Sequence, residues 1–220
     1  MDIKFWLKKF FRGYTILEET FSPINGRIQV LEDFLGRRRL LAGGITQSGE
    51  IVEEIWGQAF KSIRSLKVSR CLILGLGGGS AAKKILSFFP KAEIVGIEID
   101  REMIKMGKKY FNLKDLNNLK IVIKDAFIFL NDLNHLNKKF DLILVDLYVG
   151  DKVVEKTETD EFIKNIKKIL NENGIVIFNR LYYAEQRRKT DNFENKIRNF
   201  FPKIDIKKIQ KNKLFLCRNF

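Results

Sequence analysis

The chain has 220 residues, 45% hydrophobic and 31% charged, the make-up of a globular protein with a sizeable core and the length of one domain with a small appendage. That excludes a disordered chain, and no apolar run approaches the roughly 18 residues of a membrane-spanning helix, so no transmembrane segment is expected. The formal charge of +14 raises the question of nucleic acid, but lysines such as Lys83-Lys84, Lys108-Lys109, Lys138-Lys139, Lys167-Lys168 and Lys207-Lys208 are spread along the whole chain, where solvation explains them, and this argues against a nucleic-acid partner.

At the N-terminus, Ile3, Trp6, Leu7 and Phe10 recur at helical spacing over residues 2–12. Lys4, Lys8, Lys9 and Arg12 break every apolar core that a secretory leader would need. The pattern predicts a short helix docked on the core or on a second subunit rather than on a membrane surface. From Thr15 the periodicity changes. Residues 26–32 read as a strand after the Ile24-Asn25-Gly26 turn, residues 38–42 as its partner, and Gly43-Gly44 as a break. A small β-hairpin region of three or four strands therefore precedes the main domain.

Residues 50–66 are helical by period, with Ile51, Ile55, Trp56, Ala59 and Phe60 on one face. Strands then alternate with helices. The strands are expected at 70–75, 93–98, 119–123, 140–146 and 173–179. The helices are expected at 80–88, 101–110, 125–133, 158–170 and 183–199. The segment from Phe140 to Asp146 is almost continuously apolar, as a strand covered on both faces must be. Residues 204–209 and 213–218 form a closing antiparallel pair. This alternation predicts a doubly wound, mostly parallel α/β sheet, and the final hairpin favours the methyltransferase variant of that architecture over a dinucleotide-binding one. Cys71 and Cys217, each inside a predicted buried strand, fit a reducing cytoplasm.

The candidate site lies where a ligand sits in such a sheet, beyond the carboxyl ends of the strands. Gly75, Gly77 and Gly79 form a turn that lets the backbone approach a ligand, and the helix from Ser80 aims amide donors at it. Glu98 ends the next strand, where an acid can hydrogen-bond ribose hydroxyls; the competing role is a cap or surface acid. Asp100 is the better candidate for the cap of the following helix. Asp125-Ala126 ends the third strand, where the acid can accept from an adenine amino group or cap the helix behind it. Asp146 ends the fourth strand, where a carboxylate can orient or deprotonate an amine nucleophile, and Tyr148 can turn an aromatic face to a cationic donor. Arg180 is read as a contact for an anionic acceptor or as half of a surface ion pair. His135 is read as solvated surface.

Taken together and in order, these motifs resemble the spermidine synthase-like proteins, a branch of the class I S-adenosylmethionine-dependent methyltransferase fold. The resemblance covers residues 22–180. It runs through the hairpin stretches 22–28 and 44–48, the loop 74–80, residues 95–100, Asp125-Ala126-Phe127, residues 141–146 and residues 173–176. It implies a seven-stranded Rossmann-like sheet, divided here into residues 1–48 (helix and β-hairpin region) and 49–220 (nucleoside-binding domain). It further implies that Gln47 lines the nucleoside pocket, Glu98 holds the ribose, Asp125-Ala126 contacts adenine, and Asp146 takes a proton from the attacking amine. A homodimer or tetramer is implied by the same likeness.

Two departures matter. Spermidine synthases carry an aspartate in the glycine loop where this chain has Gly78, and a second one three residues after the catalytic aspartate, where it has Val149. Asp151 is two positions displaced. Without those carboxylates, a buried ammonium loses charged partners. The expectation is therefore a cytoplasmic transferase using S-adenosylmethionine or decarboxylated S-adenosylmethionine, with methyl transfer to a small-molecule acceptor favoured. Aminopropyl transfer in polyamine biosynthesis and a non-catalytic nucleoside-binding module are the alternatives, and no metal is expected.

Overall fold

The computed structural model describes residues 13–132, 139–150 and 152–219, so the helix predicted at 2–12, His135 and Asp151 lie outside the described residues. Four antiparallel strands come first: β1 (Tyr14–Ser22), β2 (Gly26–Asp33), β3 (Arg38–Ala42) and β4 (Ile45–Gly49), paired in that order. Ile28, Val30, Leu40 and Ala42 bury one face of this small sheet against Met103 and Met106 of the main domain.

The rest of the chain runs α1 (Glu50–Lys61), β5 (Arg70–Leu74), α2 (Ser80–Phe88), β6 (Glu93–Glu98), α3 (Arg101–Tyr110), β7 (Leu119–Ile123), α4 (Ala126–Asn131) and β8 (Phe140–Val145). After β8 come the two-residue strands β9 (Tyr148–Val149) and β10 (Lys152–Val153), then α5 (Asp160–Ile169), β11 (Leu170–Leu181), α6 (Gln186–Ile197), β12 (Lys203–Ile209) and β13 (Asn212–Arg218). Seven of these strands form one sheet in the order β12-β13-β11-β8-β5-β6-β7. Strand β13 is antiparallel to both its neighbours, and the other pairs are parallel.

The apolar run on β8 explains the layering. Leu142 and Leu144 pack with Trp56, Phe60 and Ile85 on one face of the sheet. Ile143 and Val145 pack with Phe162, Ile166, Phe193 and Ile197 on the other. A side-chain period of two thus feeds two separate helical layers from one strand. Strands β5, β6 and β7 step outward in one direction while β8 and β11 step in the other, so the order reverses between β5 and β8. In an open α/β sheet the ligand crevice lies at that reversal.

The expected elements are all present within the described residues, and the differences in their ends have local causes. The first helix stops at Lys61 rather than at residue 66, with turns following. The helix expected at 125–133 spans only 126–131, because the Asp125 side chain caps it from outside, accepting from the amides of Phe127 and Ile128. The helix expected at 183–199 is 186–197. Strand β11 runs on to Leu181, beyond the expected end at residue 179, because Asn179, Arg180 and Leu181 keep pairing with β13 after β8 has ended. Both cysteines are buried and unpaired.

Candidate active site

The loop after β5 begins with a close approach. Gly75 has φ 90°, and a Cβ there would lie 2.2 Å from the carbonyl oxygen of Asp146, so only glycine lets the ends of β5 and β8 meet. The amide of Gly77 then donates to Glu98 Oε2 at 2.8 Å, and the amide of Asp100 donates to Glu98 Oε1 at 3.0 Å. Burial raises the Glu98 carboxyl above its ordinary range, and these amides pull in the opposite direction. Asp100 takes the predicted capping role through the amide of Glu102, and its other oxygen accepts from Ser22 Oγ and Asn25 Nδ2. One carboxylate therefore anchors both a helix and the β1–β2 turn.

These elements enclose a cavity of about 180 Å³ beyond the strand ends. Gln47, Gly75, Gly77, Glu98, Asp125, Ala126, Asp146 and Tyr148 all border it, so the predicted site residues converge on one space. Gly79 is the exception. It is the N-cap of α2 with φ 99° and does not line the cavity; Ser80 and Ala81, the first residues of that helix, do. Gln47 reaches across to donate through Nε2 to the carbonyl of Gly150 at 3.3 Å. Asp125 caps α4, with Oδ1 2.7 Å and 3.0 Å from the amides of Phe127 and Ile128, and the residue also borders the cavity.

Asp146 follows the last residue of β8 and borders the cavity. Its Oδ1 accepts from Asn179 Nδ2 at 2.8 Å, and Asn179 Oδ1 accepts from Asn212 Nδ2 at 2.8 Å. Burial pushes the Asp146 carboxyl up to about 6, with Glu98 pushing the same way and Asn179 and Arg180 opposing. Tyr148 borders the cavity too, but its hydroxyl donates to the carbonyl of Asn179 at 2.9 Å, and burial holds the phenol far above its ordinary range. Arg180 is not the surface cation that one reading made it: it is 1% exposed, lies 4.0 Å from Glu158 and does not border the cavity.

Several lining residues were not foreseen: Ile24 and Asn25 from the small sheet, and Val52 and Trp56 from α1. The bond between Asn179 and Asp146 follows from register, since Phe178 pairs with Val145 and the next residue along each chain is polar. Gly78 does not line the cavity: a Cβ there would meet Ser48 Oγ at 2.8 Å and Leu40 Cδ2 at 2.9 Å, so a side chain would collide with the small sheet. Val149, at the other lost carboxylate, is 46% exposed and borders the cavity. Among the described residues no cluster of His, Cys, Asp and Glu could hold a metal, and no helix is long and apolar enough to cross a membrane.

Comparison with known proteins agrees with this geometry. The chain is 29% identical over 113 residues to a polyamine aminopropyltransferase of Vibrio vulnificus, covering 51% of this chain and 38% of the relative. It is 26% identical over 156 residues to a Drosophila melanogaster eEF1A lysine and N-terminal methyltransferase homolog, covering 67% of this chain and 23% of that protein. The chain thus spans well under half the length of these two relatives. A crystal structure of spermidine synthase in complex with the transition-state analogue AdoDATO superposes with a TM-score of 0.77 at 18% identity, covering 93% of this chain and 74% of that one, which establishes the shared fold. The spermine/spermidine synthase domain model matches residues 56–209, which hold most of the cavity's lining. With the fold, the cavity and this match in agreement, the chain belongs to the spermine/spermidine synthase domain family.

Proposed function

We propose that the chain is a transferase that binds S-adenosylmethionine and moves its methyl group to a small-molecule nucleophile, with Asp146 receiving the proton that the nucleophile loses. The observation that carries this reading is the set of three carboxylates, Glu98, Asp125 and Asp146, at successive strand ends around one cavity. Glu98 and Asp125 suit the ribose and the adenine. The amide end of α2, at Ser80 and Ala81, suits the carboxylate of an amino-acid tail. When bound there, the donor supplies a carbon activated by a neighbouring sulfonium.

The chain's own residues supply positioning and one proton acceptor. Asn179 holds the Asp146 rotamer, Tyr148 braces the backbone behind it, and Gln47 ties the small sheet to the loop at Gly150. With the nucleophile in line, the new bond to the transferred carbon forms as the carbon–sulfur bond breaks, and its electron pair stays on sulfur. The proton released from the nucleophile passes to Asp146. A carboxyl near 6 is ionised at neutral pH yet basic enough to take that proton.

Aminopropyl transfer from the decarboxylated donor is the second reading, supported by the family match and by the Vibrio relative's activity. Against it stand Gly78 and Val149, at the two positions where spermidine synthases carry an aspartate that meets an ammonium. Calorimetry with both nucleosides, followed by an amine panel including putrescine, separates the two. Tighter binding of S-adenosylmethionine supports methyl transfer; tighter binding of the decarboxylated form with putrescine consumption overturns it.

A further inference from the structure

Asn179 holds Asp146, and other residues in turn hold Asn179. It is 6% exposed, and its backbone lies opposite Leu214 in the β11–β13 ladder. The Tyr148 hydroxyl donates to its carbonyl oxygen at 2.9 Å. Its side chain spans two partners: Nδ2 donates to Asp146 Oδ1 at 2.8 Å, and Oδ1 accepts from Asn212 Nδ2, also at 2.8 Å. Asn212 is fixed by its backbone pairing with Leu181 on one side and Ile209 on the other, where the β12–β13 hairpin turns. Three side chains thus form one line from the cavity, which Asp146 borders, to a hairpin that does not border it.

The line has a direction. An ionised carboxylate only accepts hydrogen bonds, whereas a side-chain amide donates at one end and accepts at the other. With its amino end toward Asp146, Asn179 favours the ionised carboxylate. Reversed, it would set an oxygen beside Asp146, and only a protonated carboxyl could satisfy that oxygen. A half-turn about χ2 exchanges the two ends in nearly the same volume, so packing alone does not choose between them. Asn212 makes the choice: it turns an amino group to Asn179, and the end that meets it is the oxygen.

We propose that Asn212 is a positioning residue: through Asn179 it fixes the amide end presented to Asp146 and so holds that carboxylate in its proton-accepting form. This rests on the reading of Asp146 as the proton acceptor, but its test needs no turnover. Carboxyl ¹³C NMR titration of the ligand-free chain, with the Asp146 signal identified by its loss in Asp146→Asn, reads the group directly. Glu98, Lys124, Asp125 and Tyr148 border the same cavity, Arg180 follows Asn179 on β11, and all of them are retained in the variants. In Asn212→Asp two carboxylates compete for one amino group, and the Asp146 midpoint rises by about one pH unit or more. Asn212→Leu removes the donor without adding charge, and the midpoint rises by about half a unit. A merely structural Asn212 would lower the thermal midpoint and leave the Asp146 titration alone. A native Asp146 midpoint in folded Asn212→Leu therefore overturns the proposal, as does a shift in Asn212→Asp no larger than in Asn212→Leu. Should neither variant fold, the native chain still decides: the side-chain amide ¹⁵N signals of Asn179 and Asn212 move together through the Asp146 midpoint, and an unmoved Asn212 signal overturns the proposal. The transferase reading fails separately, if calorimetry finds neither nucleoside bound.

Discussion

The two sides of the cavity are built by different means. On the side proposed for the nucleoside, Glu98 and Asp125 each take backbone amides from residues close by or from the facing glycine loop, so the acids are fixed by the strand ends that carry them. On the side proposed for the acceptor, Asp146 is held by Asn179, Asn179 by Asn212, and the loop by Arg180 through Thr157, all of them side-chain contacts between distant segments. The first kind of site is rigid because the fold is rigid. The second can change its chemistry by changing single side chains.

The contrast predicts different losses on the two sides. The largest belongs to Asp146→Asn, which removes the proton acceptor and lowers turnover by about 10²–10⁴-fold while calorimetry finds donor affinity nearly unchanged. Turnover of the native chain should rise with pH through about 6 and level off above it, as Asp146 ionises. Gly75→Ala damages both sides together. A positive φ and a Cβ 2.2 Å from the Asp146 carbonyl oxygen cost at least about 3 kcal/mol, read as a fall in the thermal midpoint along with lost donor binding. Next is Glu98→Gln. Its single carbonyl oxygen cannot serve the amides of both Gly77 and Asp100, so donor affinity drops about 10- to 100-fold, and turnover at saturating donor changes far less.

Burial raises the folded carboxyl of Asp146 from 3.8 to about 6, so the folded state binds that proton more tightly than the unfolded chain does. The group's stabilising contribution is present below about 4 and is lost as pH rises through 6. Asp146→Asn should therefore be more stable than the native chain at pH 8, by on the order of 1–2 kcal/mol, with the gain fading as pH falls toward 4. Denaturant unfolding at both pH values checks the sign. Last is Tyr148→Phe, which loses one hydrogen bond to the carbonyl of Asn179. It should cost about 1 kcal/mol of stability and slow turnover a few-fold without altering donor affinity.

The order of strands and helices, the location of the crevice, and the places of Glu98 and Asp125 beside it are legible in the linear pattern. Those follow from local rules: period two or 3.6 in the apolar pattern, glycine where a turn must approach a ligand, and an acid at the end of a buried strand. Glu98 and Asp125 were legible because their partners lie within a few residues or on the neighbouring strand end. What surrounds Asp146 comes from packing between distant segments. Asn179 lies 33 residues away from it and meets it through the β8–β11 register, and Arg180 looks in sequence like any exposed cation until β11 is seen to continue against β13. The same holds for Gly78, whose side-chain direction runs into Ser48 and Leu40 of a separate sheet rather than into the cavity. Burial and pairing across distant segments are properties of packing, and a linear pattern encodes them only once register and strand order are known.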